Sequence, residues 1–170
     1  MNLRNLIRDV PDFPKPGILF KDITPLLKNP EAFKETVEII CQSVEGYDIT
    51  SVVGIESRGF IFGAAVALEL GVGFVPIRKP GKLPFQTIRE SYSLEYGTDS
   101  IEMHIDALSI GERVLLIDDL LASGGTINAA ISLIEKAGAV VSKIVVVVEL
   151  EFLHGRDKIS GYDITSLVSF

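Results

Sequence analysis

Three observations predict an α/β fold with a mostly parallel central sheet flanked by helices. Strand-like and helix-like segments alternate along the 170 residues. The strand-like runs 52–55 and 114–117 are apolar throughout, with no polar alternation, as strands buried on both faces read. Each run is followed by a polar, glycine-containing turn and then a helical pattern, beyond the carboxyl end of the strand where such folds carry their ligands. A chain of 170 residues is the size of one domain and buries a substantial core.

The elements follow in order. Residues 3–8 have a short helical pattern. The proline-studded stretch 11–25 reads as irregular, because proline fixes φ and removes a donor, and irregular length of this kind suggests a functional lid. Asn29 and Pro30 start a helix that carries Phe33, Val37, Ile40, Cys41 and Val44 on one face, and Gly46 stops it. Cys41 is therefore a packing residue. A strand at Ser51–Ile55, a helix over about Gly59–Leu70 and a strand at Gly73–Ile77 come next. Tyr92, Leu94 and Tyr96, then Ile101, Met103 and Ile105, alternate around a turn at 97–100, which predicts a β-hairpin. After the run 114–117, Ile127, Ala130, Ile131 and Ile134 recur at helical spacing. Strands at Val140–Glu149 and near 164–168 complete the pattern. The hexapeptide Gly-Tyr-Asp-Ile-Thr-Ser stands at 46–51 and again at 161–166, each time between a helical segment and a strand. It reads as one turn solution used twice, too short to mark a duplication.

Composition narrows the function classes. With 16 basic and 23 acidic residues the formal charge is -7, which argues against sequence-independent binding of nucleic acid. Cys41 is the only cysteine, which leaves neither an internal disulfide nor a thiolate metal cluster and fits a reducing cytoplasm. Residues 1–10 lack the continuous apolar core of a secretory signal, and the longest apolar run, 144–148, is too short to span a bilayer. No lysine follows Gly125, so the glycine turn is not a P-loop, and a dinucleotide-binding Gly-x-Gly-x-x-Gly is absent.

The chemistry concentrates in residues 114–126. Asp118 and Asp119 fall at the carboxyl end of an apolar strand, and acceptor-only carboxylates suit vicinal hydroxyls, which arrive as donors. Ser123, Gly124, Gly125 and Thr126 open a helix whose free amides form a phosphate cradle. A lone Asp-Asp reads more readily as two solvated or capping acids; the thirteen-residue context reverses that preference and favours a ribose 5-phosphate pocket. A second such turn, Glu56-Ser57-Arg58-Gly59, adds a guanidinium to a helix start and makes a second anion site, with an exposed Arg at an ordinary helix start as the alternative. Arg78, Lys79 and Lys82 are a local basic cluster in an acidic chain, read either as a solvated run or as cations for a departing anion.

Residues 114–126 resemble the phosphoribosyl diphosphate (PRPP) signature of the type I phosphoribosyltransferases. Stretches 11–27, 56–60, 77–84 and 91–97 are similar to further segments of that family, in its order, and point to the branch that uses adenine. The resemblance implies the type I fold in a single domain over 1–170, with a small amino-terminal hood at about 1–30 and a flexible loop and hairpin at about 79–106. It implies transfer of 5-phosphoribosyl from PRPP to N9 of adenine, giving AMP and pyrophosphate, with Mg2+ carried in by PRPP rather than held in a protein cage. PRPP would be held by Asp118, Asp119, Ala122, Ser123, Gly124, Gly125 and Thr126, by Ser57 and Arg58, and by Arg78, Lys79 and Lys82. The turn at 56–57 would contain a cis peptide bond. Adenine would lie among Leu19, Phe20, Lys21 and Leu150, with ordinary core as the alternative for the apolar three. Arg58 and Glu95 would be catalytic, Glu95 as the proton acceptor, although a hairpin Glu between Leu94 and Tyr96 is also what a solvent-facing position looks like. The family implies a cytoplasmic homodimer in which some of the basic residues serve the other subunit's site.

Two other readings share these motifs. A phosphoribosyltransferase for another purine would keep the Asp-Asp and Gly-Gly-Thr parts, and a PRPP-sensing regulator would keep the fold. Ser123 in place of the family's usual threonine retains the hydroxyl; Lys21 stands where arginine is common, and 85–87 is less typical of the loop.

Overall fold

The computed structural model describes residues 2–94 and 96–170. Its centre is a five-stranded, all-parallel sheet. The first two strands form a separate antiparallel pair, β1 (Arg8–Pro11) with β2 (Leu19–Asp22), followed by helices α1 (Thr24–Lys28) and α2 (Pro30–Gln42). Then come β3 (Ser51–Ile55), α3 (Gly59–Leu70), β4 (Gly73–Ile77), a second antiparallel pair of β5 (Thr87–Ser93) and β6 (Thr98–His104), β7 (Arg113–Leu121), α4 (Gly125–Lys136), β8 (Val140–Glu149) and β9 (Ile164–Ser169). The order across the main sheet is β4-β3-β7-β8-β9.

The apolar strands are buried on both faces, as their lack of alternation predicts. Val114 and Leu116 point to one core with Val53, Val146 and the Ile127, Ile131 and Ile134 stripe of α4. Leu115 and Ile117 point to the other, with Val52, Val145, Phe62 and Val66 of α3 and Ile40 of α2. Neighbouring residues of one strand thus serve opposite layers, the period-2 geometry of a strand. Asn29 caps α2 by accepting from the amides of Glu31 and Ala32, both at 3.1 Å. Cys41 is half-buried, and burial raises its thiol pKa, with Glu69 and Glu38 adding to the effect.

Four sequence expectations need correction. Residues 3–8 are not one helix: a 3-10 turn covers Leu3–Leu6 and the chain then enters β1. The stretch 11–25 is not irregular throughout. Its prolines fall where they do no harm, Pro11 at the end of β1, Pro14 and Pro16 in the connecting turn and Pro25 in the first turn of α1, while the proline-free Leu19–Asp22 pairs with Arg8–Pro11. The hairpin turn is not at 97–100. Gly97 takes φ +99° and its carbonyl accepts from the Leu94 amide at 2.9 Å, so pairing begins at Ser93 opposite Thr98, and Thr98, Asp99 and Ser100 belong to β6. Strand β7 runs past residue 117 because β8 continues beside it; Leu120 pairs with Val148 and Leu121 with Glu149. The acidic pair is therefore within the sheet ladder.

Candidate active site

The carboxyl ends of β3 and β7 and the first turns of α3 and α4 enclose a cavity of about 380 Å³. Glu56, Ser57 and Arg58 line one side, and the peptide between Glu56 and Ser57 is cis. Asp118 and Asp119 line the floor, Ala122, Gly124 and Thr126 the far wall, and Lys79 and Tyr92 reach in from the side of the hairpin. Neither α3 nor α4 has a side-chain cap, whereas α2 has one. No side chain therefore competes with an anion at either helix start, although in α3 the Phe60 and Ile61 amides already donate to the Ser57 and Arg58 carbonyls at 3.2 Å, and the positive end of each helix dipole lies behind the site.

The acidic pair is expensive to keep charged. Burial pushes Asp118 well above the usual carboxylate range, and the neighbouring Asp119 charge pushes the same way. Asp119 is only 6% exposed and burial raises it too, against the pull of Arg58, whose Nε lies 2.8 Å from Asp119 Oδ2. Asp118 Oδ1 accepts from the Asp119 amide at 2.9 Å. Gly59 is buried directly behind this pair: a Cβ there would lie 2.9 Å from Asp118 Oδ1 and 3.1 Å from the Ile117 carbonyl oxygen. The absent side chain lets the start of α3 rest on the end of β7 and brings the two anion turns to one cavity.

The basic cluster is held by carboxylates. Arg78 Nε donates to Glu56 Oε1 at 2.7 Å, and Lys79 donates to Asp99 and to the Tyr92 hydroxyl. The buried Glu102 anchors the turn at 78–82 by accepting from the Gly81 amide at 3.3 Å, and also accepts from the guanidinium of Arg89 in β5.

The chain carries the domain of a known group of enzymes. A phosphoribosyl transferase domain model matches residues 22–168. An adenine phosphoribosyltransferase of Kosmotoga olearia is 54% identical over 170 residues, covering all of both chains. The crystal structure of the Thermoanaerobacter pseudethanolicus adenine phosphoribosyltransferase superposes with a TM-score of 0.96 at 53% identity, over 99% of this chain and 98% of that one. The chain belongs to the adenine phosphoribosyltransferase family. The Saccharomyces cerevisiae enzyme, solved with an imino-altritol bisphosphate and adenine, has a TM-score of 0.92 at 39% identity, over 97% of this chain and 96% of that one.

Against this family background, the structure brings Ser57, Arg58, Lys79, Asp118, Asp119, Ala122, Gly124 and Thr126 to one cavity. Ser123 is exposed beside it, and Gly125 begins α4 against the Tyr92 ring. Arg78 is turned onto Glu56, and Lys82 is exposed. Of the expected adenine residues, Phe20 stands with its ring 5.2 Å from the Arg58 guanidinium carbon and edge-on to Phe13 at 5.0 Å. Leu19 is 49% exposed, and Lys21 points elsewhere, its Nζ 2.6 Å from Asp9 and 3.8 Å from the centre of the Phe170 ring. Leu150 is half-buried against the α2–α3 core, and its amide donates to the Leu121 carbonyl at 3.0 Å. Glu95 lies outside the described residues.

Sequence reasoning missed Gly59 as a spacer, Glu102 as an anchor and the Gly155-Arg156 turn that backs the loop at 122–124. None of these lies in a run whose periodicity would have singled it out.

Proposed function

We propose that this chain transfers 5-phosphoribosyl from PRPP to N9 of adenine, releasing pyrophosphate and forming AMP with inversion at C1. The observation that carries the reading is the meeting of two uncapped helix starts and an adjacent carboxylate pair at one cavity. A donor with a 5-phosphate, a diol and a pyrophosphate needs that combination. The α4 start cradles the 5-phosphate, Asp118 and Asp119 accept from the ribose hydroxyls, and Ser57, Arg58 and the α3 start take the pyrophosphate. The basic turn 78–82 adds charge for the leaving group once Arg78 and Lys79 exchange their carboxylate partners for it. Phe20 stacks on the purine opposite Leu150, with Leu19 and Lys21 contributing main-chain groups. Glu95 removes the purine proton as the new bond forms.

The oxygen donors of the cavity suit Mg2+ carried in with PRPP, which would supply charge neutralisation for the leaving pyrophosphate; where Asp118 or Asp119 helped to hold it, they would do so through water. The hood at 1–30 and the segment 79–106 close over the substrates and exclude water. We place the protein in the cytoplasm as a homodimer in which part of the basic turn serves the neighbouring site.

A purine panel tests the reading. Offered PRPP, Mg2+ and one purine at a time, the protein is expected to make AMP from adenine and no nucleotide from hypoxanthine, guanine or xanthine. Glu95→Ala should lower kcat about 100-fold or more, the usual weight of a general base. Arg58→Ala should raise KM for PRPP. IMP, GMP or XMP as the main product would show that the hood selects another base, and PRPP binding with no product would identify a sensor.

A further inference from the structure

The geometry points to the turn at Gly155 and Arg156 as the element that positions the phosphate loop, with Arg156 a positioning residue for PRPP. This rests on the function proposed above and extends it to residues beyond the cavity lining. The loop at 122–124 and Gly155 meet backbone to backbone. A Cβ on Gly124 would fall inside contact distance of the Gly155 carbonyl, and a Cβ on Gly155 inside that of the Ala122 carbonyl. Gly124 also takes φ +83°, a conformation that side chains disfavour, so the loop is shaped by what it leans on as well as by its own sequence.

What it leans on is itself fastened. Arg156 grips Glu149 through both arms of its guanidinium, Nε to Oε1 and Nη2 to Oε2, each at 2.7 Å. Ser166 of β9 joins the pair, accepting from Arg156 Nη2 at 2.9 Å and donating to Glu149. Arg156 Nη1 reaches the Ile164 carbonyl at 3.2 Å. Glu149 is 4% exposed, and its hydrogen bond from Arg156 holds its carboxyl below the usual range, so the grip is charged on both sides at neutral pH. A two-armed contact fixes orientation, which a lysine at the same place would not. Arg156 thereby ties the Gly155 turn to β8 and β9 and sets where the cradle amides stand. Catalysis needs that accuracy, since a misplacement of about 1 Å can cost about 100-fold.

The test uses the full chain and direct PRPP titration calorimetry alongside steady-state kinetics, with circular dichroism to confirm folding. In Arg156→Lys the charge stays and the fork goes; PRPP should bind about ten-fold more weakly while KM for adenine stays within about twofold. Gly155→Ala should weaken PRPP more than Arg156→Lys does. If Gly155→Ala does not fold, Glu149→Gln, which keeps the shape and loses the charge, takes its place and should behave like Arg156→Lys. PRPP affinity within about twofold of wild type in folded Arg156→Lys would overturn the proposal, as would equal losses for PRPP and adenine. Wild-type protein that binds PRPP but makes no AMP would count against the proposed reaction alone, because the calorimetric comparison still decides the role of Arg156.

Discussion

Asp118→Asn is expected to raise the melting temperature of the unliganded protein at neutral pH while cutting kcat/KM for PRPP by about 100-fold. The two effects share one cause. Burial and the adjacent Asp119 carboxylate hold Asp118 well above its ordinary pKa, so its ionised form is a cost to the folded state. The sign follows from proton counting: between the ordinary carboxylate pKa and the raised one, the folded state binds more protons than the unfolded state, and stability falls as pH rises through that window. Asparagine is nearly isosteric and its Oδ1 still accepts from the Asp119 amide, the bond that Asp118 makes at 2.9 Å, but it carries no charge. The variant's advantage should therefore be absent at low pH, where the carboxyl is protonated in both the folded and the unfolded chain, and grow as pH rises toward neutrality. On the proposed function, the activity loss would come from charge-assisted hydrogen bonds to the ribose hydroxyls, each about 1.5–3 kcal/mol. Thermal melts of both proteins across the acid-to-neutral range check the first half. A variant that melts below wild type at neutral pH would remove the link between strain and binding.

Gly59→Ala should be nearly as damaging, from a single methyl group. Gly59 is buried at the start of α3, and an added Cβ would come within 3.1 Å of the Ile117 carbonyl and 3.2 Å of the Asp118 Cα. Both are backbone atoms of a central strand and cannot swing aside. Relief has to come from α3 moving outward, taking Ser57 and Arg58 with it and stretching the 2.8 Å ion pair with Asp119. Overpacking of this kind costs about 1–3 kcal/mol of stability. The expected functional cost is larger, about 100-fold in kcat/KM for PRPP, because on the proposed function the turns at 56–59 and 118–119 must meet the donor at one distance. Pyrophosphate inhibition should weaken together with PRPP use. If transfer stays within about threefold of wild type in the folded variant, the contact between α3 and β7 does not set the spacing of the two anion turns.

Much of the site is legible in the linear order. Asp118, Asp119 and the Gly124-Gly125-Thr126 turn are consecutive, so proximity in the chain already gives proximity in space. The same holds for Glu56 to Gly59. The apolar runs 52–55 and 114–117 have no polar alternation, which only strands covered on both faces tolerate, and the two cores on either side of β7 bear that out. The amino-terminal segment was less legible. Four prolines between residues 11 and 25 argue for a loop, yet a hairpin and a short helix form among them, because what counts is which amides the ladder needs and not how many prolines are near. The hairpin turn was misplaced for a related reason: alternation in Tyr92, Leu94 and Tyr96 fits a strand, whereas the register is decided by Gly97 and its bond to Leu94.

By itself the sequence determined the α/β class, the two strand-turn-helix motifs, the adjacent carboxylates that follow a buried strand and the family they imply, since each is a local pattern of residue types read at fixed spacing. Only the tertiary structure decided what those motifs face. The Arg58 pairing with Asp119, the grip of Glu102 on the basic turn and the Gly155 turn behind the 122–124 loop join residues from 21 to 61 positions apart or bring backbones together where side chains are absent. Such contacts leave no periodic trace along the chain, because they depend on how the layers pack and on the space that a missing Cβ leaves open.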